Sequence, residues 1–240
     1  MTAMARSEAK AQVLRREGAR PVQVSLFDRE RLTAELGDHE AVVNLASSLP
    51  SPQRFMMKSA WADCERIRTQ GSATLVAAAL AAGIPRVVQE SVVMIYRDGD
   101  DRWIDESWPV DHYPIAVGNH AAESSSRIFA ESGRDAIILR FGLFYGPGAA
   151  HSEMIMDLAR RHIAFQVGRP GTYSSSIHLA DAAAAVVAAL ACPAGTTTSS
   201  TTTPSPRHRT PRRWRPLSER GPGPRDLGGS HCCSAIAPRR

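Results

Sequence analysis

Residues 135–148 read DAIILRFGLFYGPG, and the fold is decided there. Ala136 to Leu139 are four consecutive apolar residues, two of them β-branched isoleucines, which predicts a short buried strand. Arg140, the aromatic pair Phe144 and Tyr145 and the turn Gly146-Pro147-Gly148 follow at once. A strand ending in a charge, aromatics and a Gly/Pro turn fits the carboxyl edge of a parallel sheet, where open α/β folds bind their ligands. An ordinary strand followed by a turn is the competing reading of this stretch taken alone.

Working outward, strand-type and helix-type segments alternate. The pattern EAKAQVLRREGA follows Ser7 and predicts a helix that Ser7 caps, and Val22–Val24 is a short strand signal. A second helical pattern, RERLTAELGDHE, precedes the apolar run Ala41 to Ala46. Residues 61–82 predict one long helix closed by Gly83 and Pro85, and Arg86 opens a strand running towards Tyr96. Helical patterns recur from about Gly118, over 153–163, and in the Ala/Val run after Asp181. His178 and Asp181 stand at the start of that last helix, and Asp181 serves as its cap in the local reading. This alternation predicts an α/β fold, a Rossmann-like parallel sheet with helices on both faces.

One element of such a fold is missing from the pattern. No GxGxxG or GxxGxxG occurs, and the chain opens where a second strand would stand. Lacking the first strand and its Gly-rich turn, the sheet loses a central member, and its neighbours keep unpaired backbone groups.

The formal charge is +5, but residues 195–240 hold nine arginines against Glu219 and Asp226, a net of +7, so residues 1–194 carry −2. The body is thus an acidic domain, read as a truncated dinucleotide-binding domain over 1–194, with a low-complexity basic tail over 195–240 of disorder-type composition. Cys64, Cys192, Cys232 and Cys233 have neither disulfide-framework nor zinc-site spacing, so no metal is expected. No signal peptide or long apolar span is present, and the setting expected is cytoplasmic, without a membrane partner. Nucleic acid, through Trp214 among the tail arginines, is a minor alternative.

Four segments, VVNLAS at 42–47, GSATLVAAALAAGIPRVVQESVVMIY at 71–96, LRFGLFYGPG at 139–148 and SIHLADAAAAVVAAL at 176–190, together resemble the NAD-dependent epimerase/dehydratase proteins of the extended short-chain dehydrogenase/reductase family. They occur in the family's order and cover roughly residues 2 to 195. The resemblance implies NAD or NADP as cofactor and a small-molecule substrate, a nucleotide sugar or another hydroxy or keto compound. A homodimer is compatible with it. Arg6-Ser7, after the family's second strand, weakly favours NADP over NAD. Leu26 and Asp28 would lie near the adenine, though Ser25 stands where the family has Asp. Asn44, Leu45, Ala46, Asn119 and Phe141 would border the cofactor, and Arg140, Tyr145 and His178 the substrate.

The reaction centre departs from the family. Its Tyr-x-x-x-Lys pair, a proton donor tuned by a neighbouring cation, falls here on Ile115 and Asn119. Tyr113 lies two residues out of register. The accompanying hydroxyl position falls on Val92, with Ser91 one residue earlier, so Ser91 and Tyr113 are the surviving catalytic candidates. Family members continue after PAGT with a strand resembling YNVVDDEP. Decoding Thr196 to Pro206 with high-GC codons gives HNVVDDDPLT in another frame, which suggests a frameshift as the origin of the tail. A hydride-transfer enzyme and a non-catalytic NAD(P)-binding regulatory relative are the two functions expected.

Overall fold

The computed structural model describes residues 1–51, 54, 57–163, 173–200 and 205–206. The chain divides into two compact units, Met1–Glu90 with His112–Ile138, and Ser91–Asp111 with the described residues from Leu139 onward.

In the first unit, β1 (Thr2–Met4) leads to helix α1 (Glu8–Arg16), whose first turn is closed by the Ser7 hydroxyl accepting from the Lys10 N–H. Strand β2 (Arg20–Val22) returns parallel to β1, Thr2 opposite Arg20, two residues ahead of the Val22–Val24 signal. Helix α2 (Arg29–Leu36) starts where Asp28 accepts from the Arg31 N–H at 3.1 Å. Strand β3 (Ala41–Asn44) pairs parallel with β4 (Arg86–Val92), Asn44 opposite Gln89. The sheet order is β3-β4-β5-β9, with β1 and β2 forming a separate pair. The expected break therefore falls between β1 and β3, which do not pair with each other. One hydrogen bond, His39 Nε2 to Thr2 Oγ1 at 2.9 Å, ties the start of β1 to the turn before β3.

The single helix expected over 61–82 is four pieces. A 3-10 turn at Lys58–Trp61 passes into α3 (Ala62–Arg66), a π-helical turn at Ile67–Gly71 and α4 (Ser72–Ala81). Leu75, Val76, Ala78 and Ala79 of α4 pack with Leu32, Val42, Val87 and Phe129 in the core of this unit. At the end of α4 the Arg134 guanidinium donates to the carbonyls of Ala79, Leu80 and Ile84, supplying partners that helix ends lack. Helix α5 (Val117–Glu131) leads to β5 (Asp135–Phe141), whose apolar run is buried as its sequence predicts.

β5 continues into the second unit, with β9 (Gly195–Ser199) as its neighbour in the sheet. Composition alone places those five residues in the tail. Their three threonines, good strand formers on a half-buried surface, carry the sheet past residue 194, and most of the remaining tail lies outside the described residues. Strand β6 (Leu143–Tyr145) pairs parallel with β8 (Ser176–His178). Gly142 permits this, since a Cβ there would sit 3.0 Å from the Ser176 backbone. Helix α6 (Ala150–Arg160) begins before the expected 153–163, β7 is Tyr173–Ser174, and α7 is Leu179–Ala189. Strand β10 (Ser205–Pro206) pairs antiparallel with β7. Among the described residues no helix is long and apolar enough to cross a membrane.

Candidate functional site

The carboxyl ends of β3 and β4 carry an unusual density of buried polar side chains. Asn44 ends β3. Its Nδ2 donates to Ser72 Oγ at 3.1 Å and Gln89 Oε1 at 2.8 Å, while its Oδ1 accepts from the Ala46 N–H at 3.2 Å. Gln89 Nε2 donates to the Glu90 carbonyl at 2.8 Å. Asn44 thus fixes the turn after β3, leaving Leu45 exposed and Ala46 half-buried.

Glu90, next along β4, belongs to a second cluster. Arg68, on the π-helical turn, places Nη2 2.9 Å from the carboxylate, hydrogen-bonded to Oε1. The two residues are 5 % and 7 % exposed. Burial pushes the Glu90 carboxyl above its ordinary range, opposed by the Arg68 charge. Burial lowers the Arg68 value, but Glu90 outweighs it and the guanidinium stays charged. Asn119 of α5 is 6 % exposed.

The remaining first-unit candidates separate into exposed and structural residues. Arg6 and Ser7 are exposed beyond β1, and Ser7 caps α1. Leu26 packs against the π-helical turn, since a Cβ on Gly71 would meet its Cδ2 at 2.5 Å. Asp28 caps α2, and Tyr113 is half-buried before a 3-10 turn.

In the second unit Ser91 is completely buried. Arg140 is 4 % exposed, its guanidinium 4.7 Å from the centre of the Tyr96 ring, whose hydroxyl bonds Thr198 at 2.8 Å. Phe141 is buried with its ring 5.4 Å from that of Phe144. Tyr145 meets His178 edge-on at 5.3 Å. The Gly146 backbone, at φ +123°, comes so close to that imidazole that a Cβ would lie 2.7 Å from its Nε2. His178, not Asp181, caps α7, its Nδ1 accepting from the Ala180 N–H at 3.2 Å. A cavity of about 500 Å3 opens beside this group, lined by Tyr145, Gly146, Pro147, Ser152, Glu153, Ile155, Met156 and Arg160.

Tyr145 and His178 are therefore brought together. Ser91 and Tyr113 belong to different units. Sequence reading missed Arg68, Ser72, Gln89 and Glu90. The available signal was Gln89-Glu90-Ser91, three polar residues interrupting an apolar strand between Val88 and Val92.

The model of the NAD(P)H-binding family matches residues 1–193. A 3-diazoavenalumate denitrifying reductase from a Streptomyces species is 29 % identical over 183 residues, 72 % of this chain and 60 % of the relative. The chain thus spans about three fifths of that curated relative's length. Among solved structures, a UDP-glucose 4-epimerase from Thermus thermophilus, complexed with NAD, superposes with a TM-score of 0.69 at 17 % identity, covering 86 % of this chain and 71 % of the epimerase. A dTDP-glucose 4,6-dehydratase from Streptomyces venezuelae gives 0.68 at 22 % identity, covering 83 % of this chain and 66 % of the dehydratase. These likenesses show a Rossmann-type fold. With the family match over most of its length, the chain belongs to the NAD(P)H-binding family.

Proposed function

We propose that this chain binds NAD or NADP beside the carboxyl end of β3, and that its activity is hydride transfer on a small hydroxy or keto substrate. The observation that carries the reading is the Asn44 turn. A buried amide with both of its ends engaged holds Leu45-Ala46 at the strand end, where open α/β sheets take their ligands. Arg6 is exposed after β1 and fits a 2′-phosphate, which favours NADP. Leu26 and Asp28 are the candidate adenine-side residues. The cofactor would accept a hydride when oxidised or donate one when reduced, and the chain's residues would hold and orient it. Ser91 and Tyr113 are each a candidate hydroxyl group of the reaction; within the second unit, Tyr145, His178 and the adjoining cavity are the candidate substrate residues. A nucleotide sugar is the substrate class suggested by the epimerase and dehydratase likenesses.

A second reading, a non-catalytic NAD(P)-binding relative, is favoured by Ile115 and Asn119 standing where the family carries Tyr and Lys. Fluorescence titration of the full chain with NADH and NADPH tests the first step. Binding of both is expected, with Arg6→Ala weakening NADPH roughly three- to tenfold more than NADH, as loss of one charged hydrogen bond implies. No binding of either overturns the proposal. Binding without turnover of UDP-glucose, dTDP-glucose or a diazo compound of the kind the Streptomyces reductase is named for selects the second reading.

A further inference from the structure

Helix α7 opens on an uncommon cap. The first N–H groups of a helix lack partners within it, and here one of them is met by His178, whose Nδ1 accepts from the Ala180 N–H at 3.2 Å. Ser, Thr and Asn, common capping residues, keep their acceptor oxygens at every ordinary pH, whereas an imidazole nitrogen accepts only while it is unprotonated. A backbone N–H can only donate. Nδ1 is therefore bare, and the ring proton of neutral His178 sits on Nε2.

The Gly146 backbone stands on that Nε2 side. A Cβ at Gly146 would lie 2.7 Å from Nε2 and 2.9 Å from Cδ2, so the ring fills the space that a side chain there would take. Tyr145 is opposite His178 in the β6–β8 register and meets the imidazole edge-on. One half-buried ring is thus clamped between the first turn of α7 and Tyr145-Gly146, and those two residues also line the cavity of about 500 Å3.

A proton on Nδ1 turns the cap into a clash. Two donors then face each other, and a cation stands at the positive end of the helix. A shift of the ring away from Ala180 runs into Gly146, which it already touches. β6 and α7, the elements packed against its strand, carry one titratable side chain each, Tyr145 and Asp181. Tyr145 presents a ring contact. Asp181, exposed in the first turn of α7, attracts an imidazolium only weakly across solvent and leaves the cap position empty. We propose that His178 is a proton-operated latch: neutral, it caps α7 and holds Tyr145-Gly146 in place; protonated, it leaves the cap and shifts that turn, altering the wall of the cavity. The latch works whether or not a dinucleotide binds in the first unit.

The test is NMR of the isotope-labelled full chain from about pH 8 to about pH 5, across the imidazole range. At the upper end the two ring nitrogens of His178 should report the Nε2–H tautomer. On acidification the Ala180 and Gly146 amide signals should move together with the His178 ring. Protection of the Ala180 amide from exchange, corrected for its intrinsic pH dependence, should fall about fivefold, as loss of a cap implies. His178→Asn keeps a capping oxygen that does not titrate, so both amides should ignore pH in that variant. His151 of α6 is retained there, and a response that survives belongs to another group and overturns the latch. Should the variant fail to fold, the unaltered chain decides. An Nδ1–H tautomer at the upper end, or a His178 ring that titrates while Ala180 and Gly146 stay still, overturns the proposal.

Discussion

Two polar clusters stand at the ends of the same strands and are built on opposite plans. Asn44, Ser72 and Gln89 form a closed, uncharged network in which the Asn44 amide uses both its nitrogen and its oxygen. Arg68 and Glu90 form a buried, charged pair, Arg68 Nη2 lying 2.9 Å from the carboxylate. Gln89 and Glu90 are consecutive, and strand alternation turns their side chains to opposite faces, so a single dipeptide feeds both clusters. A satisfied neutral network rigidifies its surroundings at low cost, whereas a buried ion pair also carries the desolvation of two charges. The first cluster is therefore insensitive to charge, and the second stands or falls with its ion pair.

Breaking the ion pair has the largest expected effect. Glu90→Ala leaves the Arg68 charge buried without its partner, which costs about 3–5 kcal/mol, read as a fall in the urea midpoint of unfolding. Removing both charges sharpens the comparison: Arg68→Met with Glu90→Leu should leave the chain as stable or more stable by about 1–4 kcal/mol. Equal destabilisation by the single and double changes would make the pair a structural device and erase the contrast. Asn44→Ala comes next. It strands Gln89 Oε1, at a cost of about 1–3 kcal/mol, and frees the Ala46 N–H, so that amide should exchange faster than its neighbours.

The fold was largely legible because its signals are local. Val87-Val88 and Ala136–Leu139 are continuous apolar runs, as strands buried on both faces require. The π-helical turn was invisible, because hydrophobic periodicity over 61–82 does not register one extra residue in a turn. That extra residue is part of what positions Arg68. Leu143–Tyr145 read as the decorated end of a strand, yet it is a strand itself, made so by a partner some thirty residues away in β8. The cap of α7 passed from Asp181 to His178, since the residue at the cap is decided by where the backbone turns into the helix, not by the strongest capping side chain nearby. Of the candidate site, Asn44 and Asn119 were found through resemblance to a family. Arg68 and Glu90 were not, because only folding brings residues 22 positions apart into contact.

Protonation separates the two clusters most finely. None of Asn44, Ser72 and Gln89 titrates, so the loss caused by Asn44→Ala should be the same at every pH. Glu90 does titrate, and burial raises its folded-state value above the ordinary 4.5 despite Arg68. An acid with a raised folded value holds its proton in the folded state after the unfolded chain has released it. In that window folding takes up a proton, so its stability falls as pH rises. Relative to Glu90→Gln, which cannot titrate, the unaltered chain should be at its best below about pH 4.5 and should lose ground as pH climbs through the folded-state value. Urea unfolding of both proteins from pH 4 upward measures this. A difference that instead grows in favour of the unaltered chain as pH rises would mean that attraction to Arg68 outweighs burial in this pair.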